Sequence, residues 1–110
     1  MKPIPTLFRP ESLANLPLPA GRLSHQVLDL PDLELRHYVP PKPDPQAPHT
    51  RDELYFVHSG GGVFVRAGER RTFQAGDALF VAAGEEHRFE DCSPGTAAWV
   101  VFFGPEKPAA

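Results

Sequence analysis

Three side chains in this sequence have types and spacing that chemistry can use: His49 and Glu53, four residues apart, and His87 far downstream. On an extended strand positions 49, 51 and 53 point the same way, so an imidazole and a carboxylate share one face. Glu53 opens the apolar run Leu54-Tyr55-Phe56-Val57, whose alternation puts Tyr55 and Val57 on the face of Glu53. His87 shares its face with Phe89. All three polar groups are therefore expected inside, where an unpartnered charge is costly. A divalent cation would satisfy them together. Two histidines and one carboxylate with open positions are the ligand set of many non-haem Fe(II) sites and also serve catalytic zinc; the alternative is a hydrogen-bonded pair with no metal.

The elements that must position these residues read as strands. Residues His25, Val27 and Asp29 alternate with Gln26, Leu28 and Leu30, and Leu33, Leu35, His37 and Val39 alternate with Glu34, Arg36 and Tyr38. Such period-two patterning predicts half-buried strands, with His37 on the inward, apolar face. Five prolines between Pro40 and Pro48 exclude a central strand there and predict a loop. Further strands are expected at 53–57, 63–66, 70–74, 78–81, 87–89 and 97–103, separated by turns at Ser59-Gly60-Gly61-Gly62, Ala67-Gly68-Glu69, Ala75-Gly76-Asp77 and Ala83-Gly84-Glu85-Glu86. Many short strands with glycine punctuation make an all-β sandwich or barrel. Residues 1–20 carry five prolines and scattered leucines and predict an arm that packs on the body, with a turn or two of helix over Arg9 to Leu16. The barrel is expected over 21–105 and a short tail over 106–110. Leu54 to Val57 and Trp99 to Phe103 are apolar on both faces, which predicts a cover beyond the barrel interior: the arm on one part, a second copy of the chain on the rest.

The remaining polar and aromatic residues receive quieter readings. His58 lies opposite Glu53 in the alternation and is expected at the surface, and His25 is given no role. Tyr55, Phe89, Trp99 and Phe103 are expected as core aromatics. Glu85-Glu86 and Arg70-Arg71 read as solvated turn residues. Cys92 is a half-buried bystander with nothing nearby to activate it. No helix follows the glycine run to form a phosphate cradle.

Composition bounds the function. At 110 residues the chain is one domain, and 14 prolines with 9 glycines favour turns over long helices. The net charge of -3, without any cluster of Lys or Arg, argues against nucleic-acid binding. The longest apolar stretch is too short to cross a bilayer, and the opening Met1-Lys2-Pro3-Ile4-Pro5 lacks the apolar core of a secretion signal. A lone cysteine suits a reducing compartment, so the expectation is a cytoplasmic protein without nucleic-acid or membrane partners.

Two segments carry a family resemblance. His49, three residues, Glu53, six residues and Gly60 are similar to the first cupin motif. Gly76-Asp77-Ala78-Leu79-Phe80-Val81-Ala82-Ala83-Gly84-Glu85-Glu86-His87 resembles the second. The matches lie in the right order over roughly residues 40–91. The resemblance is to small single-domain cupins and implies an antiparallel β-barrel of the double-stranded β-helix, or jelly-roll, type. It also implies one divalent transition metal (Fe, Mn, Zn or Ni) on His49, Glu53 and His87. The pattern departs at four places. The earlier histidine of the usual His-x-His falls on Ala47, and the leading glycine on Pro41. Ala82 stands where proline is usual, and Asp91 where asparagine is usual. With one usual ligand missing, Gln46 could supply an amide oxygen, directly or through water, and His37 could approach from its strand. Small cupins include dioxygenases, isomerases, lyases and binding proteins, and fold alone does not choose among them. The expected function is a metal-dependent enzyme acting on a small organic molecule. The alternatives are a non-catalytic ligand-binding or metal-sensing barrel, or a barrel that has lost its metal.

Overall fold

A computed structural model describes residues 3–13 and 15–107. All eight expected strands are present: β1 (Ser24–Leu30), β2 (Leu33–Tyr38), β3 (Asp52–Ser59), β4 (Gly61–Arg66), β5 (Glu69–Gln74), β6 (Ala78–Val81), β7 (His87–Glu90) and β8 (Ala97–Phe103). They form two antiparallel sheets, ordered β1-β2-β8-β3-β6 and β5-β4-β7. Among the described residues no strand ladder joins the two, so the jelly-roll barrel is open at its seams.

The inner faces of both sheets meet in one core. Tyr38, Tyr55, Val57, Val81, Ala98 and Val100 come from the five-stranded sheet, and Phe64, Phe73 and Phe89 from the three-stranded one. The aromatic rings meet edge-to-face or tilted, with Tyr55 and Phe89 at 5.1 Å and Phe64 and Phe89 at 4.9 Å. Burying each such side chain contributes about 1.5–3 kcal/mol.

Register decides which side chains reach the interior. Across β3 and β8, Glu53 lies opposite Phe102, Tyr55 opposite Val100 and Val57 opposite Ala98. Across β8 and β2, those inward positions continue to Glu34, Arg36 and Tyr38. The face of β2 is therefore the reverse of the one expected. Leu33, Leu35 and His37 point outward, beside Phe103, Val101 and Trp99, while Glu34, Arg36 and Tyr38 point in. The physical reason is that this end of the interior is a polar cavity, while the apolar stripe of β2 lies on the outer face beside the apolar residues of β8, with His37 at its end lining a groove with the arm. Trp99 and Phe103 likewise belong to the outer face and not to the core, whereas Tyr55 and Phe89 are buried as expected.

The turn between β3 and β4 admits only glycine at one position. Gly60 has φ +77°, and a Cβ there would lie 2.2 Å from Thr96 Oγ1. The lack of a side chain lets the turn close on the Thr96 loop, where the Thr96 and Ser93 hydroxyls each lie 3.2 Å from Gly61 N–H and accept from it.

In the arm, Pro10–Leu13 form a single 3-10 turn. Leu13, Leu16 and Leu18 line a groove with Leu23, His25 and Val39 along the outer side of β1 and β2. His25 Nε2 lies 3.2 and 3.3 Å from the Leu16 and Pro17 carbonyls. Ile4 and Leu7 are exposed. Met1, Lys2 and Ala14 of the arm and residues 108–110 of the tail lie outside the described residues. The tail returns to the body at Lys107, whose Nζ lies 3.0 Å from the Asp52 carboxylate. Among the described residues no helix is long and apolar enough to cross a membrane.

Candidate metal centre

The starts of two strands and the proline-rich loop deliver the candidate ligands. Glu53, second in β3, and His87, first in β7, are both fully buried, while His49 comes from the loop and is half-buried. His49 Nδ1 lies 2.7 Å from Glu53 Oε2, and His87 Nε2 lies 3.4 Å from the same oxygen. One donor atom from each of the three lies within 4.8 Å of the others. The rings of His49 and His87 are 5.1 Å apart, and Phe102 stands edge-on to His49 at 5.1 Å.

Gln46 joins this group and Ala47 does not. The Gln46 Oε1 lies 3.3 Å from His87 Nε2 and accepts a 3.0 Å hydrogen bond from the Tyr55 hydroxyl. Ala47 is exposed. The amide is held in this sense from behind, because its Nε2 donates to Asp44 Oδ2 at 2.8 Å. Asp44 is itself buried and accepts from the Phe89 backbone N–H at 2.8 Å and from the Tyr38 hydroxyl. Burial first, and then the hydrogen bond to Asp44, push the Tyr38 phenol far above its ordinary value. Burial, and then the charge of Glu53, do the same to Tyr55, so both phenols stay protonated donors.

This network leaves an excess of lone pairs. His87 Nδ1 lies 3.0 Å from the Glu85 carbonyl, so in the neutral ring Nδ1 carries the hydrogen and Nε2 is bare. The neighbours of that bare nitrogen, Gln46 Oε1 and Glu53 Oε2, are acceptors too. The second carboxylate oxygen, Glu53 Oε1, is buried with no hydrogen-bond partner. A cation among these atoms, or a second proton on His87, answers the imbalance. The donor set of two imidazoles, a carboxylate and an amide oxygen fits a divalent transition metal. The bond from the rear nitrogen of His87 to a backbone carbonyl is the support that metal-bound histidines usually have.

Above these residues a cavity of about 790 Å³ opens to solvent. Its wall includes Ser24, Gln26, Glu34 and Arg36. Arg36 Nε donates to Glu34 Oε2 at 2.6 Å, its Nη1 lies 3.2 Å from the Ser24 hydroxyl, and Gln26 Nε2 donates to Glu34 at 2.7 Å. This polar wall and Asp44 escaped sequence reasoning. The alternation of β2 directs Glu34 and Arg36 outward, and Asp44 lies inside the proline-rich loop. The one available signal was the pair of polar residues, Asp44 and Gln46, alternating with prolines.

Other residues fall elsewhere. His37 is buried on the outer face, away from the cluster, and does not complete the site. Its pKa is lowered to about 4, by burial first and then by His58 and His25. His58 is exposed. Glu85 is more than a solvated turn residue, since its carboxylate accepts from the Ala82 N–H at 2.7 Å and its carbonyl supports His87. Arg70 pairs with Glu90 on the surface. Cys92 is a free, buried thiol whose pKa burial raises.

An open double sheet that gathers imidazoles and a carboxylate at one end of its interior defines a small jelly-roll barrel built around an inward polar centre. The chain belongs to the cupin family: the Cupin_2 model of the cupin domain matches residues 35–103. A curated relative, an uncharacterized protein of Streptomyces coelicolor, is 38% identical over 63 residues, which is 57% of this chain and 60% of the relative. The chain thus matches less than two-thirds of that protein's length. Among solved structures, a candidate mannose-6-phosphate isomerase from Ralstonia eutropha is similar with a TM-score of 0.64 at 24% identity, covering 84% of this chain and 94% of the other. An RmlC-like cupin from Shewanella frigidimarina gives 0.64 at 17% identity over 74% and 75% of the two chains. KdgF from Halomonas sp. gives 0.59 at 20% identity over 76% and 78%. Identities this low carry the fold alone.

Proposed function

We propose that this cupin holds one divalent transition metal on His49, Glu53 and His87, with Gln46 Oε1 as fourth donor, and acts as a metal-dependent enzyme on a small polar organic molecule. The observation that carries the reading is the buried Glu53 carboxylate, with one oxygen unpartnered and the other facing two imidazoles. When bound, the metal supplies a Lewis acid, or a redox centre if it is iron.

The chain's own residues divide the remaining work. Asp44 orients the Gln46 amide, Tyr55 fixes its oxygen, and the Glu85 carbonyl orients His87. Ser24, Gln26, Glu34 and Arg36 offer donors and acceptors on one wall, which suits a hydroxylated substrate better than a hydrocarbon. That the similar structures include a candidate sugar-phosphate isomerase agrees with this substrate class. The single free thiol, kept protonated by burial, is consistent with work in the reducing cytoplasm.

Elemental analysis of the untagged protein, beside His87→Ala, tests the reading. About one transition metal per chain, lost in the variant, is the expected result. Protein that stays empty after Fe(II), Mn(II), Ni(II) and Zn(II) are offered would overturn it. Turnover or oxygen uptake by the loaded protein separates an enzyme from a binding module.

A further inference from the structure

The cavity above the candidate metal ligands is walled on one side by β1 and β2, and a bulge turns extra polar side chains into it. Gln26 lies opposite Arg36 but Leu28 opposite Leu35, so Val27 is an extra residue in β1. It resets the alternation: Ser24, Gln26 and then Asp29 face the cavity with Glu34 and Arg36, while Leu28 falls beside Leu35 on the outer face. The row Glu34, Phe102 and Glu53 runs straight across β2, β8 and β3. Two interstrand spacings put the wall about 10 Å from Glu53, backbone to backbone, a span that one small molecule can bridge.

The side chains of this wall satisfy one another only in part. Glu34 Oε2 accepts from Arg36 Nε at 2.6 Å and from Gln26 Nε2 at 2.7 Å, and Arg36 Nη1 donates to the Ser24 hydroxyl at 3.2 Å. Among the described residues Glu34 Oε1, Gln26 Oε1, the Asp29 carboxylate and Arg36 Nη2 have no partner, and none of them is buried. The Ser24 hydroxyl, accepting from Arg36, keeps its own hydrogen to give. Acceptors and donors are thus left side by side, with acceptors in excess. A hydroxyl both donates and accepts, so a polyol answers the whole set. A carboxylate or phosphate only accepts, and here it would face the Glu34 and Asp29 carboxylates. Nor is positive charge left over for it, since Arg22, Arg36 and Arg51 border the cavity together with Asp29, Glu34 and Glu106.

We infer that this wall recognises substrate hydroxyls, and that Glu34, seconded by Asp29, excludes acids and phosphate esters, so that the cavity takes an uncharged polyol. The inference rests on the reading of this cavity as the substrate site, and narrows it from polar molecules at large to neutral ones. The adjacent acceptor and donor suit two neighbouring hydroxyls of one ligand: one gives its hydrogen to Glu34 Oε1, and the other accepts from Arg36 Nη2. The bonds from Arg36 and Gln26 to Glu34 Oε2 hold the carboxylate in place for this role.

Saturation-transfer NMR titrations with glycerol, D-mannose and myo-inositol, each beside its monophosphate, compare neutral and anionic forms of one skeleton. The wild type should bind at least one neutral member about tenfold tighter than its phosphate. Glu34→Gln, which keeps an acceptor for Arg36 and Gln26, should reduce that preference by about tenfold, and Asp29→Asn by less. Each protein is measured as purified and after chelation. The effect of Glu34→Gln should be the same in both states, whatever elemental analysis finds, which separates this inference from the metal reading. A wild type that favours the phosphates, or that binds no neutral member, would overturn the inference. So would a preference left unchanged by Glu34→Gln in protein that melts as a folded chain; if that variant does not fold, Asp29→Asn, at an exposed position, decides in the same way.

Discussion

At the scale of single residues, Gln46 is the position on which the metal reading turns. Its amide has one orientation that satisfies both neighbours: the nitrogen toward the Asp44 carboxylate and the oxygen toward the Tyr55 hydroxyl and His87. Replacement by histidine at this point should strengthen metal binding, whereas histidine at the exposed Ala47 should leave it unchanged. Isothermal titration with Zn(II) or Mn(II) compares the two. A gain at Ala47→His with none at Gln46→His would show that the loop presents residue 47 to the site. Asp44 makes a different prediction. Its carboxylate collects donors from Tyr38, Gln46 and the Phe89 backbone, and removing it strands those donors in the interior. Asp44→Ala should cost about 2–4 kcal/mol in urea unfolding and weaken metal binding by on the order of tenfold or more. The directions of Glu53 and His87 were legible in the sequence from strand periodicity, whereas His49 lies on the loop before β3, where the expected extended strand does not reach, and joins the cluster as motif spacing implied. Asp44 was not, because a proline-rich loop has no period from which to read direction.

At the scale of elements, β3 and β7 follow their alternation, β2 inverts it, and β8, apolar on both faces, turns its aromatic residues Trp99 and Phe103 outward. The apolar-inward rule assumes a dry interior on one side and water on the other. Along β2 the interior side is the polar cavity wall of Glu34 and Arg36, and the outer side is apolar. A sequence pattern reports polarity and not direction, so the same rule that directs Glu53 inward also directs His37 inward, although His37 lies on the outer face. The three-stranded sheet shows a second element-scale effect. Glu90 at the end of β7 accepts from Arg70 on β5 and Arg88 on its own strand. These two guanidinium hydrogen bonds, Arg70 first, hold its pKa below the ordinary carboxylate value. With the folded pKa depressed, the pair stabilises the protein above the unfolded-state value and ceases to do so as pH falls through the folded value. Glu90→Gln should therefore flatten the acid side of the stability–pH curve below about pH 4.5. The difference should shrink in high salt, since the pairs are exposed. An unchanged acid limb in chemical denaturation would contradict the assignment.

At the scale of the whole molecule, the outer face of the larger sheet remains partly uncovered. The arm lies along the β1–β2 side, while Phe56 and Phe80, cross-strand diagonal neighbours on β3 and β6, are both more than 40% exposed. We propose that a second copy covers them, since a two-fold contact sets such a patch against itself. Light scattering should give a dimer mass, and Phe56→Lys with Phe80→Lys should give a monomer; a monomeric wild type would contradict this. Fold class was legible throughout, because eight short strands with glycine turns leave few architectures. The cavity was not, because its wall is assembled from strands far apart in sequence. The most direct test of the central claim is anomalous diffraction from crystals of the Zn(II)- or Mn(II)-loaded protein. One strong peak within bonding distance of His49, Glu53, His87 and Gln46 Oε1 is expected. Absence of a peak there, with His87 donating directly to Glu53, would contradict it.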